Sequence, residues 1–299
     1  MGVTMRNYKY PDDFQLVGDF IVEHFLLGNA DGNWLQPAWE YMHSHPYLDT
    51  ASLGKIGIWE DAHRIVGIVH YESTLGEVFF QLHPAYGHLK LEMIDYVEHN
   101  LVGVDGSGRR YLRAYVNDID QDFLSLVGSM GYKKDAPYAR PLSEFDIPRL
   151  FPPTTLPEGF QLKSLAEDND LVKIHHVLWC GFNHPGEPPA EGVEERRMMQ
   201  LAPNYRKDLK IVVEAPDGNF VSFCGMWYEP VNRFAYVEPV ATDPDFRRMG
   251  LGKAAVLEGI RRCGALGARV AYVGSDELFY QALGFKRIYT SECWLKYFD

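Results

Sequence analysis

Apolar and polar residues alternate along this chain in two rhythms, and the rhythms recur twice in the same order. In the first half a strand-like opening at residues 3–9 precedes a helical period at 14–27. Strand periods follow at 54–59, 64–73 and 77–82, then a helix at 89–100, a strand at 111–116 and a short helix at 122–132. The second half predicts a strand at 160–165, a helix at 171–181, strands at 209–214, 220–228 and 234–242, a helix at 250–263, a strand at 269–273 and a short helix at 277–285. Each series closes on glycine and an aromatic ring, Gly131-Tyr132 and Gly284-Phe285. His83-Pro84-Ala85-Tyr86 has its counterpart in Asp243-Pro244-Asp245-Phe246, at nearly the same offset as the two closing glycines. Strands and helices mixed in this order predict an α/β domain that occurs twice. Prolines 137, 141, 148, 152, 153 and 157 interrupt every period between the halves, which is how a linker reads. The expected division is residues 1–145, a proline-rich linker at 146–158, and residues 159–299.

A length of 299 residues suits two domains of ordinary size. With 46% apolar and 23% charged residues, the chain is neither disordered nor fibrous. No apolar run is long enough for a membrane helix, and residues 1–14 have no apolar core of a secretion signal. Cys180, Cys224, Cys263 and Cys293 form no C-x-x-C pair and read as reduced thiols, so the expected location is cytoplasmic. A net charge of −12 argues against nucleic acid and anionic membranes as partners. The charge is shared unevenly: 12 Lys and Arg stand against 22 Asp and Glu up to residue 158, and 17 against 19 beyond it.

The stretch Tyr236 to Ile260 carries the chemistry. A strand runs through Val240, Ala241 and Thr242 into a turn at Asp243-Pro244. Arg247, Arg248, Met249, Gly250, Leu251, Gly252 and Lys253 then open a helix. Met249, Gly252, Val256, Ile260 and Cys263 share the spacing of one packed helix face. A strand, a glycine-bearing loop and a helix N-terminus together offer unpaired N–H groups and a positive dipole end to an anion, and three basic residues add charge. This reads as a diphosphate site. It is not a G-x-x-x-x-G-K-[ST] loop, and it lacks the full G-x-G-x-x-G of a dinucleotide fold.

The pattern R/Q-x-x-G-x-G/A after a strand, with Tyr280-Gln281-Ala282-Leu283-Gly284-Phe285 some thirty residues later, resembles motifs A and B of the GNAT superfamily of N-acetyltransferases. The resemblance covers residues 159–299 by motif and residues 1–145 by element order. It implies two tandem GNAT-like domains, each a mixed, mainly antiparallel sheet flanked by helices. It further implies acetyl-CoA as co-substrate, with the amides of Arg248 to Lys253 on its diphosphate and those of Val240 to Thr242 along its pantetheine arm and thioester carbonyl. The fourth strand of such a domain bulges and parts from the fifth, and Pro239 fits a bulge on independent grounds.

Glu238 lies beside Pro239 and reads either as the general base for an amine acceptor or as a solvated carboxylate. Tyr280 reads either as the acid that protonates the departing thiolate, the role its position carries in the family, or as a core tyrosine. Ser275 stands where many relatives have asparagine, and could hydrogen-bond the cofactor. Phe182, Asn183 and His184 form either a wall for the acceptor or a plain turn. His43-x-His45 and His175-His176 have no third ligand at metal spacing, so no metal is expected. In the first half, alignment on Pro84 sets Lys90 opposite Gly250 and Glu92 opposite Gly252, and alignment on Gly131 sets Val127 opposite Tyr280. That half is expected to be a degenerate copy that binds no CoA. The function expected is transfer of an acetyl group from acetyl-CoA to a small-molecule or peptide amine by direct attack. The alternative is a non-catalytic acetyl-CoA sensor.

Overall fold

The computed structural model describes residues 2–30, 32–151 and 153–299. Met1 and Asp31 of the expected first domain and Pro152 of the expected linker lie outside the described residues. Contacts divide the chain into two units: Met1–His43, Tyr47–Leu142 and Arg287–Asp299 form the first, and Ser44–Pro46 with Ser143–Lys286 the second.

The elements up to residue 142 are β1 (Thr4–Asn7), α1 (Phe14–Glu23), α2 (Gln36–Ser44), β2 (Gly57–Asp61), β3 (Arg64–His70), β4 (Glu77–Leu82), α3 (Lys90–Asn100), β5 (Gly103–Val104), β6 (Arg110–Asn117), α4 (Gln121–Ser129), β7 (Lys133–Lys134) and the start of β8 (Arg140–Asp146). Then come β9 (Gln161–Ser164), α5 (Leu171–Gly181), α6 (Gly192–Met199), β10 (Lys210–Glu214), β11 (Phe220–Glu229), β12 (Phe234–Thr242), α7 (Leu251–Ala265), β13 (Val270–Val273), α8 (Leu278–Leu283) and β14 (Lys286–Phe298).

The second unit is a sheet in the order β9-β10-β11-β12-β13-β8. Its pairs are antiparallel except for β12 with β13. Strand β11 is buried at nine of ten positions, the mark of a strand covered on both faces. Helix α5 sets Ile174, Val177 and Leu178 against Val212, Phe220, Phe223 and Ala241. Helix α7 sets Val256, Ile260 and Cys263 in a separate cluster with Ile211, Cys224, Met226 and Val237. Spacings of three and four give each helix its single apolar stripe. Asp170 starts α5 by accepting the N–H groups of Val172 and Lys173.

The first unit repeats the order. β1-β2-β3-β4 are antiparallel neighbours, β4 runs parallel to β6, and β6 is antiparallel to β14. Its core gathers Val17, Phe20 and Ile21 of α1 and Met93, Ile94 and Val97 of α3 with Ile58, Trp59 and Ile68 of the sheet.

Each unit is therefore a mixed, mainly antiparallel sheet flanked by helices. The division differs from the expected one at the last strand. β14 pairs along eight residues with β6 of the first unit, while Ser143–Asp146 of β8 fill the corresponding place beside β13. The stretch expected to end the first domain and begin the linker thus supplies a strand to the second unit. Pro141 is tolerated because the pairing with β13 begins only at Ser143. No described helix is long and apolar enough to cross a membrane.

Candidate functional site

In the second unit, β12 and β13 pair only through Phe234–Val270, Ala235–Ala271 and Tyr236–Tyr272. β13 ends one residue later at Val273, whereas β12 continues to Thr242. A gap opens there, and Val237 to Thr242 keep their ladder only with β11. On that side the register shifts between Cys224 and Met226, skipping Gly225, and the Glu238–Pro239 peptide is cis. A Cβ on Gly225 would overlap the Glu238 carbonyl, so the backbones close up at the bulge. The same carbonyl accepts the indole N–H of Trp227 at 3.0 Å.

Beyond the gap the strand meets the loop. Asp243 caps the turn Pro244–Phe246 by accepting the Asp245 N–H at 3.0 Å. Arg248 and Gly250 take left-handed conformations, φ 64° and 83°, and Gly250 has open space where a Cβ would stand. The first intrahelical bond of α7 runs from Ala254 N–H to Gly250 at 3.0 Å. The amides of Leu251, Gly252 and Lys253 therefore belong to the first turn, which has no partners within its own helix. Arg248, Met249, Gly250 and Lys253 are exposed; Leu251 and Gly252 are buried. This is a helix N-terminus of the kind that takes anions.

Three residues of this stretch depart from their expected setting. Arg247 donates from Nε to the Thr242 carbonyl at 3.1 Å and from Nη2 to the Gly181 carbonyl and Asn183 Oδ1, both at 2.9 Å. Its guanidinium ties the end of α5 to the end of β12. Gly252 lies with Thr242 Oγ1 2.9 Å from where its Cβ would be, so its smallness lets α7 pack on the strand. Met249 precedes α7, is 40% exposed, and does not belong to the helix's apolar face.

Tyr280, on α8, packs edge-on against Phe279 and Phe285 with centroids 5.0 and 5.7 Å away. Burial first, then the neighbouring Cys224, Glu238 and Glu277, push its phenol well above the ordinary range. Cys224 is likewise pushed up, by burial first and with Glu238 among the causes. Glu238, Cys224 and Tyr280 thus share one electrostatic neighbourhood at the gap. Ser275 accepts the Glu277 N–H at 3.2 Å and serves the start of α8. Phe182 is exposed, Asn183 holds φ 58° and is bound to Arg247, and His184 stacks on Trp179 at 4.5 Å. The structure brings Asn183 to the loop side of the site, through Arg247.

Sequence reasoning missed Trp227 and Lys210. Lys210 is 1% exposed, donates to the Met226 carbonyl at 2.8 Å, and lies 3.8 Å over the Trp227 ring. A lysine opening the apolar run Lys210-Ile211-Val212-Val213 was the available signal.

Residues 171–285 match the model of the acetyltransferase (GNAT) family. A mycothiol acetyltransferase of Saccharomonospora viridis is 29% identical over 153 residues, 47% of this chain and 50% of that protein. The match thus spans about half the length of that curated relative. Among solved structures, a GCN5-related N-acetyltransferase from Sphaerobacter thermophilus superposes with TM-score 0.64 at 15% identity, over 99% of this chain and 95% of that one. A tandem GNAT protein from the clavulanic acid biosynthesis pathway gives 0.62 at 15% identity, over 99% and 98%. At such identities the superpositions show the fold alone. The family match falls wholly inside the second unit and contains the gap, the loop and Tyr280, so over those residues the chain is similar to GNAT acetyltransferases.

Proposed function

We propose that the second unit transfers an acetyl group from acetyl-CoA to a primary amine. The observation that carries this reading is the parting of β12 from β13 after Tyr236 and Tyr272, with Glu238 on the bulged strand and Tyr280 in its electrostatic neighbourhood. The loop fits a diphosphate: Gly250 leaves open the space a side chain would fill, and the N–H groups of residues 251–253 start the helix. Arg248 and Lys253 are exposed beside those amides and add charge.

Acetyl-CoA supplies an activated acetyl thioester. The chain's own residues do the rest. Amides of Val240 and Thr242, which the alternation of the ladder turns away from β11 toward the edge that β13 leaves, offer donors to a carbonyl oxygen as negative charge grows on it. The Glu238 carboxylate accepts the proton that an ammonium must lose before its nitrogen can attack. The Tyr280 hydroxyl, held protonated by burial and nearby carboxylates, donates toward the departing thiolate. Arg247 acts by position, keeping Asn183 and Gly181 against the strand end. The first unit, lacking equivalents of Gly250, Gly252 and Tyr280, is in this reading a copy without catalytic work. Its excess of carboxylates favours cationic acceptors.

The test is thiol release from acetyl-CoA across a panel of small amines, peptides and amine-bearing thiols. Amine-dependent release that disappears with Glu238→Gln is the expected result. Binding of acetyl-CoA with no acceleration by any amine would favour the sensor reading.

A further inference from the structure

We infer that His176, Cys180 and Asp243 form a binding site for a borderline transition-metal dication such as Zn²⁺. The site stands independently of the transferase reading. His176 and Cys180 lie four residues apart on α5 and so share one face. Asp243 enters from the far end of β12, immediately after Thr242. One donor atom from each residue lies within 4.8 Å of the other two. The Cys180 sulfur is 3.8 Å from His176 Nε2 and 3.9 Å from Nδ1. A tetrahedral zinc with Zn–S of about 2.3 Å and Zn–N of about 2.0 Å holds its S and N ligands roughly 3.5 Å apart. The Cys180–His176 pair therefore needs only a few tenths of an ångström of contraction and a turn of the imidazole, and the Asp243 carboxylate, within 4.8 Å of both, closes the rest by side-chain rotation.

The donor set selects among metals. A thiolate, an imidazole and a carboxylate suit Zn²⁺ or Co²⁺, whereas Mg²⁺ and Ca²⁺ prefer oxygen alone. The surroundings favour a cation. Asp243, Glu187 and Asp245 place negative charge around the Cys180 sulfur. Binding would exchange the thiol proton, released to solvent, for the metal. Cys180 is only half-buried, while Cys224, Cys263 and Cys293 are buried, so one thiol of the four is reachable. Half-burial of His176 and Cys180 leaves an entry path and room for water as a fourth ligand. The Asp245 N–H already orients the Asp243 carboxylate. His176 was set aside in the sequence for want of a third ligand at metal spacing; that ligand is far along the chain, and only the packing of α5 beside the end of β12 delivers it.

A metal here would staple the end of α5 to the turn that leads into residues 247–252, in parallel with the Arg247 clamp. The test is titration of the untagged, reduced chain with Co²⁺. A thiolate-to-cobalt charge-transfer absorption that saturates at one equivalent and is bleached by Zn²⁺ is expected, with Cys180→Ser removing it. Asp243→Asn should weaken binding by at least the roughly 10–100-fold that a lost supporting group costs at metal sites. In parallel, one equivalent of Zn²⁺ should slow alkylation of Cys180, and His176→Ala, with its circular dichroism unchanged, should abolish the protection. Absence of the charge-transfer band, its survival in Cys180→Ser, or alkylation indifferent to Zn²⁺ would each overturn the assignment.

Discussion

The two units open the same gap in the same sheet and fill it differently. In the first, β4 and β6 pair at Glu77–Arg113 and Val78–Ala114 and then part. The next residues, Phe79 and Tyr115, stack face to face at 4.6 Å and 7°, with the Arg140 guanidinium 4.9 and 4.6 Å from their centroids. In the second, the residues after the last pair are Val237 and Val273. β4 meets β3 without a register shift, whereas β12 bulges against β11. The cavity beside the first gap, about 480 Å³, is bordered by Lys90, Asp120 and Phe123 where a diphosphate loop would stand. Lys90 is committed to Asp120 at 2.6 Å, and Glu92 accepts the Trp59 indole N–H at 2.7 Å. Val127, opposite Tyr280 by the alignment, is fully buried in the core. One topology thus carries different side chains at its two parting points, a stacked aromatic pair under an arginine in the first unit and two valines in the second.

The largest expected effect tests the chemistry proposed for the second unit's gap. Tyr280→Phe should lower turnover by about 10²–10⁴-fold while acetyl-CoA affinity stays near its starting value, because the hydroxyl is needed only as thiolate charge develops. Steady-state rates with a responsive amine, compared with calorimetric Kd values, separate the two. The ring remains in phenylalanine, so its contacts with Phe279 and Phe285 persist. If most of the turnover survives, Tyr280 is a packing residue and the difference between the gaps lies in binding alone.

Much of the comparison was legible in the sequence, and the failures have physical causes. The helices at 171–181 and 250–263 were readable because each carries one apolar stripe, and the loop because glycines and basic residues stand between a strand and a helix start. The helices α2 and α6 were missed: α6 is eight residues with four charges and a single buried apolar side chain, too little pattern to read. Pro141 and its neighbours hid β8, since prolines mark strand edges as readily as linkers. The placement of β14 is a long-range choice between two similar sheets, and local periodicity carries no information about it. At the site, Tyr280 was proposed from the family resemblance and Glu238 from its place beside Pro239, while Trp227 and Lys210 act on backbone carbonyls that only the bulge exposes.

A second prediction concerns how the units respond to acid. In the first unit, His70 donates from Nδ1 to the Tyr71 carbonyl at 3.0 Å, and its Nε2 faces the Gln81 amide nitrogen at 2.8 Å, so the buried ring is neutral. His43 donates to the Trp39 carbonyl and accepts from the Tyr8 hydroxyl. Burial lowers His70 from 6.5 to about 3 and His43 from 6.5 to about 4. Below pH 6.5 the unfolded chain binds protons that the folded unit refuses, so stability is lost as pH falls. The window is 6.5 to about 4 for both residues and extends to about 3 for His70. Each contributes a slope approaching about 1.4 kcal/mol per pH unit within it. In the second unit, burial and Arg196 lower His175 alone among its described histidines with a resolved shift. Amide-exchange mass spectrometry at pH 7, 6 and 5, corrected for intrinsic rates, should show the first unit losing protection sooner. Equal losses in both units would contradict it.

The smallest effect bears most directly on which gap binds. Lys253 is exposed in the first turn of α7, beside the amides assigned to the diphosphate. Reversing its charge removes an attraction and adds a repulsion, each worth on the order of 1 kcal/mol at contact distance in water. Lys253→Glu should therefore weaken CoA binding roughly five- to thirtyfold, and less at high salt. Lys90→Glu is the matched change in the first unit. It breaks the ion pair with Asp120 and places two carboxylates together, lowering that unit's stability by roughly 0–1 kcal/mol beyond the loss of the pair itself. Because Lys90 serves Asp120 rather than a ligand, CoA affinity should not change, and titration of the unaltered chain should give one site. A second site, lost on Lys90→Glu, would mean that the first unit's gap binds CoA as well. Equal weakening by both substitutions would mean that net charge, rather than the glycine loop, governs binding, and the distinction drawn between the two gaps would fail at its first chemical test.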